Sequence, residues 1–100
     1  MNLAKIILLG RVSKKPGYSS VSKDLVTFEL EVEEENKKFI STFNILCSGE
    51  LSEYVISNID IDLHLFVEGL IRGQALRRKK VNNQTLIVFF AKNIKILRDN

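Results

Sequence analysis

The 100-residue sequence contains no tryptophan and only one cysteine, one histidine and one proline. A single cysteine, Cys47, excludes an internal disulfide framework and a cysteine-rich zinc site. No apolar run approaches the roughly 20 residues that a transmembrane helix needs. The length is typical of one domain, so we predict a single soluble, intracellular domain over residues 1–100 that makes no contact with a membrane.

Residues with catalytic or metal-binding chemistry are equally scarce. The single histidine, His64, alternates with leucines in an extended segment, which is typical of a structural strand residue. Asp60 and Asp62 follow Asn58 closely, and such a cluster more often marks a turn than a metal site. The chain has no glycine-rich phosphate loop, nucleophile elbow or HExxH motif. We therefore expect a protein that is not an enzyme and that holds no metal or cofactor.

The sequence does contain strong β-strand patterning. Apolar and polar residues alternate over Leu25–Glu33, which predicts a strand with one solvated face. Gly49–Asn58 instead places Leu51, Tyr54 and Val55 on one side of a short amphipathic helix. Glycines predict bulges in the fourth strand, and a bend is expected near Lys92 in the fifth. The predicted strands are Lys5–Val12, Leu25–Glu33, Phe39–Cys47, Leu63–Leu76 and Thr85–Leu97.

Three strands, one helix and two strands follow one another in the order of the OB fold. We therefore predict an all-β, five-stranded OB-fold barrel with one short helix between strands 3 and 4. An open five-stranded sheet fits the same pattern, whereas a β-sandwich usually needs more strands.

The net charge is only +3, but the basic residues cluster in two connections. These are Ser13–Asp24 and Arg77–Gln84, which correspond to the usual ligand loops of an OB barrel. We expect both connections at the same rim, forming one cationic channel that binds a flexible polyphosphate through counterion release. The alternative is a pair of solvated hairpin tips. The predicted phosphate contacts are Lys14, Lys15, Lys23, Arg72, Arg77, Arg78, Lys79 and Lys80.

Aromatic side chains are the second component of a single-strand binding site, because every base has a face that can stack. Tyr18, in the first basic connection, is the best placed, and Phe39 and Phe43 are further candidates. For each phenylalanine, a place in the core is the alternative. The acidic face formed by Glu29, Glu31 and Glu33 would repel phosphate, so we expect it to lie away from the binding groove.

The first strand is apolar on both faces at Ile6, Ile7, Leu8 and Leu9. A strand with one solvated face would alternate, so something must cover the second face. We predict that this run forms the interface of a homodimer or homotetramer.

Four segments resemble the bacterial-type single-stranded DNA-binding protein (SSB) family: Ala4–Val12, Val26–Leu30, Gly49–Glu53 and Val67–Arg72. Short members, such as the primosomal protein PriB and the plastid or cyanobacterial SSB-like proteins, are the most similar in length. The most specific piece is Glu68–Arg72. The resemblance implies an OB barrel that oligomerises partly through its first strand and wraps single-stranded DNA over the barrel and its hairpins.

The chain also departs from that family. Asn36, Thr42 and a residue near Leu76 stand where members carry stacking tryptophans, and Ser48 replaces an aromatic residue. After Ile96–Asn100 we expect no acidic tail of the kind through which family members recruit replication partners. We expect sequence-tolerant, mainly electrostatic binding of single-stranded DNA, with RNA left open, in replication, repair or recombination. The compartment would be a bacterial cytoplasm, at the nucleoid, or the plastid stroma. The alternative is a PriB-like primosomal or scaffold subunit that contacts replication proteins.

Overall fold

The computed structural model describes residues 5–20, 22–33, 40–75 and 85–97. A single helix, α1 (Gly49–Asn58), lies between the third and fourth strands, and among the described residues no helix is long and apolar enough to cross a membrane. The five strands are β1 (Lys5–Tyr18), β2 (Leu25–Glu33), β3 (Ile40–Ser48), β4 (His64–Ala75) and β5 (Thr85–Leu97).

The strands close into a barrel in the order β1-β2-β3-β5-β4. All neighbouring strands are antiparallel except β3 and β5, which are parallel. This order and the position of the helix are those of the OB fold. The predicted fold class is confirmed, and closure of the barrel excludes the open-sheet alternative.

The β1 strand is longer than the sequence predicted. It runs on to Tyr18 and pairs with β2 through two register shifts, one between Val12 and Lys14 and one between Lys14 and Gly17. The second shift contains the buried Pro16, whose missing N–H is tolerated where the ladder is irregular. The prediction that Ser13–Asp24 is a loop was therefore wrong for its first half, and Lys14 and Lys15 are strand residues.

Inward-facing side chains of all five strands fill the barrel. On β2, Val26, Phe28 and Leu30 are buried in the alternation that the sequence predicted. The helix adds Val55 to this core, whereas Tyr54 is 39% exposed and does not complete the predicted apolar stripe. The buried core comprises Leu8, Val12, Val26, Phe28, Leu30, Ile45, Cys47, Val55, Ile59, Leu65, Val67, Phe89, Ala91 and Ile94.

A bulge interrupts the β4–β5 ladder. Glu68 pairs with Asn93 and Gly69 with Ala91, so Lys92 is the unpaired extra residue. The irregularity therefore lies in β5, close to the position where a bend was predicted and opposite Gly69, whereas Gly73 pairs with Ile87 in regular register and the bulge predicted there is absent.

The ladder directions show where the described ends of the strands lie. Because β4 runs antiparallel to β1, and β5 parallel to β3, the described part of β4 ends, and that of β5 begins, toward the strand ends at which Glu33 pairs with Ile40. Tyr18 of β1 and Leu25 of β2 lie toward the opposite ends. The second basic connection, Arg77–Gln84, lies outside the described residues, so one cationic channel at a single rim stays a prediction.

Candidate nucleic-acid interface

A cleft of about 210 Å³ lies on the outer face of β1, β2 and β3. The face that includes β2 and β3 is the surface on which OB folds bind oligonucleotides. Lys14 and Lys15 of β1 and the exposed tyrosine of that strand contribute to the walls. The lining residues are Lys14, Lys15, Gly17, Tyr18, Thr27, Phe28, Glu29 and Asn44.

The irregular second half of β1 positions the basic side chains. Lys14 and Lys15 lie at the two register shifts, and both are exposed. Within the described part of the chain, neither lysine forms an ion pair. Tyr18 ends the strand with 57% of its surface exposed. The cleft thus combines two cations that are available to phosphate with an aromatic ring that is available to a base.

The acidic face does not lie away from this cleft, contrary to expectation. Glu29 pairs with Lys14 on one side and with Asn44 on the other, so the three residues form one row across the outer face. The Ser13 hydroxyl donates a hydrogen bond to Glu29 Oε1 at 3.2 Å. The alternation that buries Phe28 and Leu30 necessarily turns Glu29 outward, toward the same surface as the lysines.

Glu31, the next outward residue on β2, binds Arg11. The Arg11 guanidinium donates to Glu31 at 2.7 Å and to Asp62 at 2.5 Å. These hydrogen bonds, the one to Glu31 first, raise the pKa of Arg11 above its usual value. Arg11 therefore joins β1, β2 and the turn before β4, and its charge is already matched by carboxylates.

A larger cleft, of about 370 Å³, lies beside this cluster. Among the described residues that line it, the charged groups are the engaged Arg11 and two glutamates, and none is a lysine. The smaller cleft has two exposed lysines among its described residues, and we therefore treat it as the candidate nucleic-acid site. The larger cleft is lined by Leu9, Gly10, Arg11, Glu31, Glu33, Ile40, His64 and Leu97.

Of the other predicted contacts, Lys23 and Phe43 have described side chains, and neither lines the cleft. Lys23 is exposed in the turn before β2, at the same strand ends as Tyr18, but does not line the cleft. Phe43 is half-buried and packs against the core, which corrects its assignment as a stacking residue. Arg72 pairs with Val88 in the β4–β5 ladder. Phe39, Arg77, Arg78, Lys79 and Lys80 lie outside the described residues and stay predictions.

The apolar run of β1 divides between two faces. Leu8 is buried, and Ile6 packs against the core, so the prediction that these two residues form an oligomer interface was wrong. Ile7 and Leu9 are 52% and 55% exposed. The sequence correctly indicated apolar residues on both faces, and alternation along the strand decides which pair points inward.

Burial raises the pKa of the Cys47 thiol to about 12, so the group stays protonated at neutral pH. Cys47 is thus a buried β3 residue of the barrel core.

Sequence reasoning missed five residues of the cleft: Gly17, Thr27, Phe28, Glu29 and Asn44. Three of them, Thr27, Glu29 and Asn44, are outward positions of β2 and β3. The signal was the period-2 pattern itself, since on the predicted central strands of an OB barrel every residue opposite the core face is a candidate ligand contact.

The chain matches no protein-family model and no curated protein sequence. Its fold is similar to a crystal structure of a small single-stranded DNA-binding protein from Streptomyces coelicolor, with a TM-score of 0.78 and 17% identity over 96% of this chain and 95% of that one. It is also similar to the mitochondrial single-stranded DNA-binding protein Rim1 of S. cerevisiae, with a TM-score of 0.80 and 14% identity over 100% of both chains. At these identities the likeness concerns the fold, and the chain therefore has the closed five-stranded OB fold that these two proteins share.

Proposed function

We propose that this chain binds single-stranded DNA on the outer face of β1, β2 and β3. The observation that carries the proposal is the pair of exposed lysines, Lys14 and Lys15, which stand without ion pairs among the described residues beside the exposed Tyr18. The two proteins of similar fold are named for single-stranded DNA binding, which supports the same assignment.

The chemistry follows from these groups. The lysines contact phosphates and release counterions, so affinity falls as salt rises, with a slope of about 0.7 per phosphate contact on a single strand. Tyr18 stacks on a base, an interaction worth about 1–3 kcal/mol that tolerates any base. With no tryptophan in the sequence, electrostatics supplies a large share of the binding energy.

The test is fluorescence anisotropy with a labelled oligo(dT) across a salt series. Replacing both lysines (Lys14→Ala, Lys15→Ala) should weaken binding and reduce the salt slope by about 1.4, because two phosphate contacts are lost. Tyr18→Ala should weaken binding with little change in the slope, since stacking releases no counterions.

Lys95→Ala is the matched control, because this exposed lysine on β5 does not line the cleft. It should leave both affinity and slope nearly unchanged. Absence of binding at low salt, or equal losses in the control and in the double variant, would overturn the proposal.

We place this activity in replication, repair or recombination, and we propose a homo-oligomer in which the exposed Ile7 and Leu9 of β1 are covered. The second candidate is a scaffold subunit that acts through protein contacts. Exposed apolar residues favour it, since Ile40 is 59% exposed next to Leu9 in the larger, acidic cleft. If the protein binds no oligonucleotide, the scaffold function is the better-supported of the two.

A further inference from the structure

We propose that Glu29 gives the cleft a base preference, for cytosine over thymine and uracil. This inference rests on the proposed binding of single-stranded DNA and deepens it. A carboxylate inside a polyphosphate site needs a reason, because it repels the ligand that the lysines attract.

The position of Glu29 separates it from the phosphate contacts. It occupies the middle of the row Lys14, Glu29, Asn44, with neighbouring strands about 4.8 Å apart. Lys14 is exposed, whereas Glu29 is half-buried and therefore closer to the floor of the cleft. Although the two residues are directly opposite in the ladder, they form no ion pair, and the carboxylate instead accepts the hydrogen bond of Ser13.

This arrangement orients a bound strand. The exposed lysines attract the phosphates and the carboxylate repels them, so the DNA backbone lies toward Lys14 and Lys15. The bases then extend across the sheet toward β2 and β3, where their edges meet Glu29. Tyr18, which lines the same cleft, provides the stacking surface that holds a base in this position.

The carboxylate then discriminates by hydrogen-bond chemistry. An ionised carboxylate only accepts hydrogen bonds. Cytosine presents an amino donor at position 4, and glutamate is a natural acceptor for it. Thymine and uracil present a carbonyl acceptor at the same position, which repels the carboxylate. Their one edge donor, the N3–H group, lies between two carbonyl oxygens, so a carboxylate that accepts from it also faces two acceptors. Asn44 does not reproduce this selection, because its amide both donates and accepts.

The experiment compares labelled oligo(dC) with oligo(dU), with oligo(dT) added, by anisotropy at neutral pH and fixed salt. Oligo(dU) is the main comparison because uracil, like cytosine, lacks the methyl group of thymine. Oligo(5-methyl-dC) adds that methyl group to cytosine and so tests the effect of the methyl group by itself. The wild-type protein should bind oligo(dC) about tenfold more tightly than oligo(dU). The affinity for oligo(5-methyl-dC) should be close to that for oligo(dC), and the affinity for oligo(dT) close to that for oligo(dU).

Glu29→Gln should strengthen binding of oligo(dU) and oligo(dT). The ratio of the affinities for oligo(dC) and oligo(dU) should then be close to one. The glutamine removes the repulsive charge, and its amide can donate to a carbonyl as well as accept from an amine. Glu33→Gln is the matched control: it makes the same charge change on the outer face of the same strand but outside this cleft. It should keep the preference for oligo(dC). Thermal unfolding of each variant confirms that it is folded.

The outcomes separate the two proposals. If the wild-type protein binds no oligonucleotide, the proposed function fails and the base preference fails with it. If it binds all of them equally, or if Glu29→Gln strengthens all of them by one factor and keeps the preference, the role of Glu29 is overturned while single-strand binding stands.

Discussion

At the scale of single residues, Gly69 is one of the positions where the barrel leaves no room for a side chain. A Cβ atom there would lie 2.0 Å from the Phe90 carbonyl oxygen and 2.8 Å from the Phe89 ring. Since the first contact is with backbone, no rotamer change relieves it. We expect Gly69→Ala to lower the free energy of unfolding by about 2 kcal/mol or more, measured by urea denaturation.

Gly17 is the matched control for that substitution. A Cβ at this position would have no atom within 4 Å, and the backbone is not left-handed there. Gly17→Ala should therefore change the stability by less than about 1 kcal/mol. Equal destabilisation by the two alanines would contradict the steric account of Gly69.

At the scale of elements, the two halves of β1 pair with different strands. Its first half, from Lys5 to Arg11, pairs with β4, and its second half, from Arg11 to Tyr18, pairs with β2. The first half carries the exposed apolar pair Ile7 and Leu9, and the second half carries the exposed lysines. One strand thus supplies the proposed subunit contact and the proposed phosphate contact at different points along its length.

This division predicts separable variants. Ile7→Glu with Leu9→Glu should weaken self-association at least about tenfold, because charges replace apolar surface that association would bury. Sedimentation velocity over a concentration series measures the effect. Ile61→Glu, at a residue 46% exposed in the turn before β4, is the control and should leave the assembly unchanged. A wild-type protein that sediments as a monomer at every concentration would refute the predicted oligomer.

At the scale of the whole molecule, the described strand ends that flank the two basic connections are separated by the length of the strands. The nine residues of β2 span about 30 Å at 3.3 Å per residue. We therefore expect a strand of DNA that contacts both connections to cross the β1–β2–β3 face, whereas a short strand would occupy only the lysine-lined cleft.

Binding should therefore depend on oligonucleotide length in a residue-specific way. Replacing Arg77, Arg78, Lys79 and Lys80 with alanine should weaken binding of an oligomer of about 16 nucleotides and leave one of about five nearly unaffected, within the range of OB site sizes. Lys14→Ala with Lys15→Ala should weaken both lengths. Anisotropy with the two lengths makes the comparison, and equal losses at both lengths for the first variant would place its basic residues at the cleft itself.

The sequence by itself determined the element order, because alternation and turn residues are local. It correctly placed Leu25–Glu33, the helix Gly49–Asn58 and the irregularity near Lys92, and the order of elements selected the OB barrel. It misplaced the end of β1, since Pro16 and Gly17 indicate a loop in local terms, and only pairing with β2 keeps them in a strand.

The site depended on contacts between strands, which no local pattern contains. Register brought Glu29 next to Lys14, packed the half-buried Phe43 against the core, and divided the apolar run of β1 between two faces. Composition could suggest a polyanion ligand, but only the closed barrel decided which of the described cations share a face, because a side chain's neighbours across a sheet are distant in sequence.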